Sequence, residues 1–438
     1  MRNVYIQKGH PYLDMMQICQ GDVVVLKPNL VKQYKETDHN EWKCVITSAQ
    51  LIREVCEFVC DKLRSTGKVF ICDAPQTDSS FKEIATLLGL YDIAEDCRKK
   101  YGTDVVVVDL RNEEWVNKDG VIVERRKLQG DPNGNVRINL GKSSYFFGHK
   151  GEGHYYGADY DYKSLNSHHK GDLHEYLICA TPIIGDVFIS LPKLKTHKKT
   201  GVTLSLKNLV GINADKNYLP HHTFGSPKKG GDEYPDSSLK RDIETWGAKL
   251  VKRIALNVPY IGTKIATAAR NRGQKVFGAG NTTIRSGNWY GNDTTWRMVL
   301  DLNRCLLYGN LDGSLRNDRP KRYYSIIDGM IGMEGMGPMQ GDSKECGVYI
   351  SGDDPALTDV VGATLMGFDW EKLPVIRECF NQIDMPITCS KPSDINIVSD
   401  IEEWNGNLTN LQKQKHFDFI PHFGWKGHVE LSNYVTKA

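Results

Sequence analysis

The fold is organised around residues 186–222, which read DVFISLPKLKTHKKTGVTLSLKNLVGINADKNYLPHH. The apolar run 187–191 predicts a buried strand, and Pro192 predicts the end of that strand because proline lacks a backbone N–H. Thr200 then predicts the start of an amphipathic helix that ends at Gly211. The stretch therefore predicts a strand, a lysine-rich turn and a helix.

The polar side chains of this stretch favour binding of an anion. Extended backbone places alternate residues on one face, so Lys193, Lys195 and His197 are predicted to point the same way. The predicted helix adds Thr200, Thr203, Lys207 and Asn208, and the polar loop after it adds His221. Ammonium groups, hydroxyls and the free N–H groups of a helix start all attract a phosphate or a carboxylate. The alternative is a solvated lysine-rich turn, the usual setting of lysine.

The segment before this stretch predicts alternating strands and helices. Strands at 23–26, 69–72 and 105–110 alternate with helices at 48–67 and 81–100, the pattern of a parallel sheet covered by helices. Ligands bind beyond the carboxyl ends of such strands. Lys27, Asn29 and Asp73 follow two of these strands and are therefore candidate site residues. The alternative for Asp73 is a turn or helix cap.

Carboxylates follow a later predicted strand at 323–327. Asp328 comes directly after this strand, and Glu334 lies in the Met- and Gly-rich loop that follows. Carboxylates at strand ends can bind a divalent metal or act as acid and base. We predict catalytic roles for His197, Asp328 and Glu334, and we take Asp73, Asp328 and Glu334 as candidate metal ligands.

The whole chain predicts an α/β protein with two doubly wound parallel-sheet units and a β-hairpin insertion. Residues 1–110 form the first α/β unit, and residues 111–173 form a β-rich insertion that ends in a lid rich in Tyr, Gly and His. Residues 174–320 form the central Lys/His anion-binding unit, which includes a basic helical segment at 240–272. Residues 321–438 form a C-terminal α/β portion, and its aromatic-rich tail has no role that we can assign from the pattern.

Composition excludes several function classes. A formal net charge of +2 argues against a nucleic-acid partner. Eleven cysteines without a Cys-x-x-Cys pair indicate a reducing compartment and no iron–sulfur cluster, and Cys56 and Cys60 are expected to pack on the apolar side of a helix. Without a Gly-x-Gly-x-x-Gly or Gly-Lys-Ser/Thr motif, neither NAD nor ATP is expected.

The expected location is the cytoplasm, because the sequence contains no apolar run long enough to span a membrane. The basic segment at 240–272 has two interpretations. It is either a packed helix with a solvated face or a peripheral contact with an anionic membrane surface.

Four short motifs resemble the domain-of-unknown-function 362 family. They are Leu26-Lys-Pro-Asn29, Leu191-Pro-Lys-Leu-Lys-Thr-His197, Thr200-Gly-Val-Thr-Leu-Ser-Leu-Lys-Asn-Leu-Val-Gly211 and Asp328-Gly-Met-Ile-Gly-Met-Glu-Gly-Met-Gly-Pro338. The resemblance covers roughly residues 20 to 370 and implies little biochemistry. Many relatives carry a ferredoxin-like iron–sulfur segment, and longer forms are similar to components of surface-polysaccharide gene sets. The order of parts also resembles lactate racemase, which implies a nickel-pincer cofactor linked to a lysine, here Lys207.

Three hypotheses follow from the sequence and the resemblance. The favoured one is an enzyme acting on a phosphorylated or carboxylated sugar-like metabolite, with a pathway in surface-polysaccharide biosynthesis that rests on the resemblance. The second is a lactate-racemase-like isomerase with a lysine-linked cofactor. The third is a non-enzymatic anion-binding scaffold in a membrane-side complex. Substrate, reaction type, metal and oligomeric state are not determined by the sequence.

Overall fold

The computed structural model describes residues 1–118, 121–157, 161–236, 283–381 and 384–431. The basic segment at 240–272, for which a packed helix or a membrane contact is predicted, lies outside these residues. Residues 158–160 of the predicted lid also lie outside them. Within the described ranges, no helix is both long enough and apolar enough to cross a bilayer.

The described part of the chain contains strands from one end to the other. They are β1 (Arg2–Lys8), β2 (Val23–Pro28), β3 (Lys68–Asp73), β4 (Asp104–Asp109), β5 (Glu113–Lys118), β6 (Val121–Lys127), β7 (Asn135–Asn139), β8 (Tyr155–Tyr156), β9 (His169–Lys170), β10 (Leu173–Cys179), β11 (Val187–Leu191), β12 (Lys193–His197), β13 (Gly201–Thr203), β14 (His222–Thr223), β15 (Arg322–Glu334), β16 (Asp342–Gly352), β17 (Ile395–Ser399) and β18 (Gly406–Asn407).

Helices connect these strands. They are α1 (Ala49–Leu63), α2 (Phe81–Leu87), α3 (Leu90–Tyr101), α4 (Tyr162–Ser167), α5 (Ala180–Ile184), α6 (Ser205–Asn208), α7 (Thr295–Tyr308), α8 (Pro355–Leu365), α9 (Pro374–Arg377) and α10 (Leu408–Leu411). The predicted helix at 81–100 is two helices, because Gly89 between α2 and α3 has φ +61°.

A mixed, mostly parallel sheet forms the centre of the protein, which confirms the predicted α/β class. Among the described residues it has eleven strands, nine of them in the order β18-β17-β1-β16-β15-β11-β2-β3-β4, while β12 joins it through β15 and β13 joins it through β12. The part of this order that runs from β15 to β4 is entirely parallel: β15 pairs with β11, β11 with β2, β2 with β3 and β3 with β4. Strands from both predicted units therefore belong to one continuous sheet.

Alternation of side chains along the strands divides the core into two apolar layers, one on each face of the sheet. Val24 and Leu26 pack with the apolar sides of α1 and α3. Val25, between them in sequence, packs in the opposite layer with residues of α6, α7 and α8. Both faces of the parallel region are covered, as expected for an α/β protein.

The central stretch folds as predicted up to His197 and differently after it. Strand β11 ends at Leu191, before Pro192, and the chain stays extended as β12, which pairs with β15. Gly201 has φ +79° and starts β13, which pairs antiparallel with β12. The predicted helix start at Thr200 is therefore wrong: the helical turn α6 begins four residues after Gly201, at Ser205.

The β-rich insertion contains the predicted hairpin, formed by β5 and β6. Strand β10 pairs with β7 and β9 in a separate three-stranded sheet. Strand β8, in the tyrosine-rich lid, pairs with β14, in the loop after the central stretch. Tyr156 of β8 stacks on His222 of β14 and on Tyr162. The lid is thus attached to the loop that carries His221.

Candidate functional site

The predicted anion-binding residues gather at one edge of the parallel sheet, beyond the carboxyl ends of β2, β3 and β11. Strands β3 and β4 follow β2 on one side, and β11 and β15 lie on its other side. In α/β proteins, ligands bind at the point of the sheet where chain connections leave in opposite directions. Lys27 on β2 and Lys193 just after β11 flank this point.

Two buried ion pairs form the floor of the site. Lys27 Nζ lies 2.7 Å from Asp73 Oδ1, and Lys193 Nζ lies 3.1 Å from Asp328 Oδ2. None of these four side chains exposes more than 3% of its surface. Asp328 also accepts a hydrogen bond from the N–H of Ser48, the residue that caps α1. Both carboxylates are therefore already neutralised by lysine.

Asn208 fixes the position of Lys27. Its Oδ1 accepts a hydrogen bond from Lys27 Nζ at 3.0 Å, and its Nδ2 donates to the carbonyl of Lys27 and to Ser190 Oγ. Gly211 covers the Lys27–Asp73 pair so closely that a Cβ there would lie 1.9 Å from Asp73 Oδ1 and 2.7 Å from Lys27 Nζ. Position 211 therefore requires glycine, because any side chain there would collide with the Lys27–Asp73 pair.

Lys195 lies in the same region without a carboxylate partner in the described part of the chain. It is 1% exposed, and its Nζ donates to the carbonyl of Val45 at 2.7 Å. Burial, together with the charges of Lys207 and Lys193, lowers the pKa of Lys195 to about 7. Lys195 is therefore poised between ammonium and amine at neutral pH.

Lys207 on α6 is a second lysine without a carboxylate partner in the described chain, and unlike Lys195 its side chain is only half-buried. Its ammonium has no hydrogen-bond partner among the described residues. Burial, followed by the charges of Lys216 and Lys27, lowers the pKa of Lys207 to about 7. It is thus held near other cations without a counter-charge of its own.

Lys216 was not among the predicted site residues, although it lies in the polar loop after the central stretch. Its Nζ donates to the carbonyls of Ala74, Val210 and Asn213 at 3.2 to 3.3 Å. Burial lowers the pKa of Lys216 to about 8. The sequence offers one sign of a role for Lys216, its position in a long polar loop. Its three carbonyl partners could not be predicted, because they come from a distant segment and from irregular backbone.

Five lysines therefore form what we call the lysine cluster: Lys27, Lys193, Lys195, Lys207 and Lys216. Within the described residues, two of them have a carboxylate partner and three have none. Removing a charge from water is costly unless an opposite charge compensates it. The cluster therefore has an excess of positive charge that an anion would neutralise.

His197 extends the face that carries Lys193 and Lys195. Its Nδ1 accepts hydrogen bonds from the backbone N–H groups of Lys199 and Thr200, so the proton of the neutral ring lies on Nε2. Burial and the charge of Lys207 lower the pKa of His197 well below its usual value. His197 is thus a neutral imidazole and a hydrogen-bond donor through Nε2.

His221 lies near the same charges. Its Nδ1 is 2.8 Å from the carbonyl of Leu219, and burial and the charge of Lys199 lower its pKa to about 3. Lys199 itself donates to the carbonyls of His221 and Ser286, and burial lowers its pKa to about 7. His221 is therefore neutral as well.

Three further predicted residues border the cluster. Asn29 bonds through its backbone to Thr47 and Leu191, while its Oδ1 is buried without a hydrogen-bond partner in the described structure. Thr203 lies opposite Lys195 in the β12–β13 register, and its buried Oγ1 likewise has no partner there. Thr200 instead uses its Oγ1 locally, with Val202 and His197.

The N–H groups at the start of α6 do not face an external anion. The carboxylate of Asp359 on α8 accepts hydrogen bonds from Ser205 N at 2.8 Å and Leu206 N at 3.0 Å. Burial raises the pKa of Asp359 to about 7. The prediction of an anion at this helix start is corrected, because a side chain of the protein occupies that position.

Glu334 has different neighbours from Asp328. It forms an ion pair with Lys344 at 2.8 Å and accepts the N–H of Ile420 at 2.9 Å. Asp73, Asp328 and Glu334 are not among the convergent donor groups found in the described chain. The structure gives each of the three its own cationic partner.

The C-terminal segment packs over the turn between β12 and β13. Trp425 is 1% exposed, and its Nε1 donates to the carbonyl of Lys198 at 3.0 Å. The same ring lies against Gly201, where a Cβ would be 3.2 Å from it. The aromatic-rich tail thus supports the backbone that positions Lys195 and His197.

Searches of curated proteins and of solved structures find no match. A model of a family described as Domain of unknown function (DUF362) matches residues 24–131 and 154–364. These ranges make up most of the chain and include all five residues of the lysine cluster. The chain therefore belongs to the DUF362 family.

Proposed function

We propose that the protein is an enzyme that binds a small phosphorylated or carboxylated metabolite at the lysine cluster. One observation carries this proposal: Lys195 and Lys207 both have lowered pKa values, the charge of Lys207 contributes to the shift of Lys195, and neither lysine has a carboxylate partner among the described residues. A bound anion would supply the missing counter-charge. Anion binding by preorganised cations in a site of low dielectric is also an effective way to stabilise charge during a reaction.

The residues around the anion divide into two roles in this proposal. Lys195 and Lys207 hold the anionic group, and His197 donates its Nε2–H to a ligand oxygen. Lys27 and Lys193, each paired with a carboxylate, keep the floor of the site rigid.

A sugar-like substrate is supported by the aromatic lid. Tyr156 and Tyr162 stack on each other beside the loop of His221, and tyrosine rings of this kind pack against sugar rings and hydrogen-bond to their hydroxyls. A role in surface-polysaccharide biosynthesis is supported by the sequence resemblance alone. A reducing, cytoplasmic location is supported by the eleven free thiols.

The test is ligand binding measured by thermal shift and native mass spectrometry across sugar phosphates and hydroxy acids. Lys195→Met and Lys207→Met each remove one ammonium group and keep an unbranched side chain that is one atom shorter. Lys142→Met is the matched control, because Lys142 is 72% exposed and belongs to the insertion. We expect ligand-induced stabilisation in the wild type and the control but not in the two site variants. Equal responses in all four proteins would overturn the proposal.

A second candidate function is isomerisation with an organic cofactor linked to Lys207. The observation in its favour is the amine of Lys207, which has a lowered pKa and no hydrogen-bond partner within the described structure, because such an amine is a good nucleophile. Denaturing intact mass spectrometry decides between the candidates. A covalent mass increment that Lys207→Met abolishes would favour the lysine-linked cofactor, and an unmodified mass would leave the first proposal.

The scaffold alternative depends on the basic segment at 240–272. It is tested by neutralising Lys249, Lys252 and Arg253 and measuring binding to vesicles that contain anionic lipid. Loss of vesicle binding, with no effect of Lys195→Met on any ligand response, would favour a scaffold over an enzyme.

A further inference from the structure

Three cysteines meet between α1 and α3, away from the lysine cluster. Cys56 and Cys60 are four residues apart on α1, which places them on the same helix face. Cys97 on α3 faces them, and the three Sγ atoms all lie within 4.8 Å of one another. The sequence predicts Cys56 and Cys60 as simple packing residues, and it gives no sign of Cys97 because that residue is far away in the chain.

We propose that Cys56, Cys60 and Cys97 form a buried site for a thiophilic metal ion, with Zn²⁺ as the ion bound. Cys thiolates at about 2.3 Å from Zn²⁺ lie about 3.8 Å from one another in tetrahedral geometry, a separation that side-chain rotation can reach from the present arrangement. Soft thiolate ligands select ions of this class. Two ligands on one helix and a third on its neighbour are a favourable arrangement for joining the two helices.

The surroundings of the thiols are compatible with ligation. The three thiols hydrogen-bond to one another, and the guanidinium group of Arg53 lies near Cys97. A thiolate is the form that binds metal. Coordination of Zn²⁺ by the three thiols releases three protons and gives a site of net charge −1, which the nearby Arg53 partly offsets.

Thr103 can hold a fourth ligand in place. It is fully buried beside the Cys60 thiol, and its Oγ1 has no hydrogen-bond partner by distance and angle among the described residues. Unsatisfied buried hydroxyls are costly, and a zinc-bound water that hydrogen-bonds to Thr103 would satisfy this hydroxyl and complete a tetrahedral site.

The site would stabilise the helix that supports the lysine cluster. The N–H of Ser48, which caps α1, holds the carboxylate of Asp328. Zinc bound to Cys56 and Cys60 would fix α1 against α3, and binding to the folded state alone raises the free energy of unfolding. We therefore assign the site a structural role.

The experiment measures zinc in the full chain after metal removal, reloading with Zn²⁺ and gel filtration. We expect one zinc per chain in the wild type and in Cys305→Ala, whose buried thiol lies on α7. Cys56→Ala, Cys60→Ala and Cys97→Ala should each lose it. We also expect zinc to raise the melting temperature of the wild type but not of Cys97→Ala.

X-ray absorption of the zinc-loaded wild type provides a readout that needs no variant, so it holds even where a variant fails to fold. Three sulfur ligands at about 2.3 Å would support the site. A protein that retains no zinc, zinc with only nitrogen and oxygen ligands, or equal zinc content in Cys97→Ala would each overturn the proposal.

Discussion

Lys193 and Asp328 face each other across the β12–β15 pair, with 3.1 Å between ammonium nitrogen and carboxylate oxygen and almost no exposed side-chain surface. The same carboxylate accepts the N–H of Ser48. Because β15, β12 and the start of α1 meet in these contacts, the pair joins three parts of the chain that are distant in sequence. The pair therefore fixes the position of Lys193, one of the five residues of the lysine cluster.

The first prediction concerns this pair. Lys193→Met leaves the buried carboxylate of Asp328 without its counter-charge, and we expect the free energy of unfolding to fall by about 3 to 5 kcal/mol. Urea denaturation measures the loss. The double variant Lys193→Met/Asp328→Leu removes both charges and should recover most of it. A single variant as stable as the wild type would show that the pair contributes nothing to the fold.

The second prediction concerns Gly211. A methyl group at this position would lie 1.9 Å from Asp73 Oδ1, so Gly211→Ala must displace Asp73 or Lys27. We expect a loss of about 1 to 3 kcal/mol in the free energy of unfolding, the usual cost of overpacking, together with weaker anion binding. Urea denaturation and thermal shift with a bound anion measure the two effects. Unchanged values in both would contradict the close contact.

The first parallel strands and the helix between them were predicted correctly, because a strand is marked by its own apolar run and a helix start by its own capping residue. Ser48 caps α1 as its hydroxyl predicts, and the apolar runs that become β2, β3 and β4 are bounded by polar residues. The same signals misplaced the helix after Thr200. The β12–β13 pairing and the positive φ of Gly201 depend on contacts with β15 and Trp425, which no local pattern encodes.

The candidate site was predictable in its residue types and less so in its geometry. The spacing of Lys193, Lys195 and His197 predicts a common face, and β12 provides it. The partners of these residues come from remote segments, as the carbonyl of Val45 does for Lys195. The role of Asp359 at the start of α6 could not be predicted, because that residue lies about 150 positions away in sequence.

The third prediction concerns pH and stability. The folded-state pKa of Lys195 lies at about 7, below the value of 10.5 that applies to an exposed lysine. Between about pH 7 and 10.5 the unfolded chain keeps the proton on this lysine, whereas the folded chain has lost it. Raising the pH in this range removes that advantage of the unfolded chain, so the free energy of unfolding should rise with pH. The expected slope is about 1.4 kcal/mol per pH unit for each such lysine.

Urea denaturation at several pH values, without added anion, measures this slope. Lys195→Met should reduce it by the contribution of one lysine, whereas the exposed-site control Lys142→Met should leave it unchanged. The comparison uses slopes rather than absolute stabilities, because Lys195→Met also leaves the carbonyl of Val45 without its donor. Parallel pH profiles for wild type and Lys195→Met would show that Lys195 keeps an ordinary pKa.

The fourth prediction concerns anion affinity, with sulfate as a probe because sulfate does not titrate near neutral pH. We expect sulfate to bind the ammonium forms of Lys195 and Lys207, whose pKa values are about 7 when no anion is bound. Its dissociation constant should therefore be nearly constant below pH 7 and rise above it, by up to about tenfold per pH unit for each lysine that must take up a proton. Calorimetry in buffers of different ionisation enthalpy would also detect this proton uptake.

Lys207→Met should weaken sulfate binding and flatten the pH profile of the dissociation constant, and Lys142→Met should change neither. Sulfate affinity that is independent of pH between 7 and 9, with no proton uptake, would mean that anions do not bind at these two lysines.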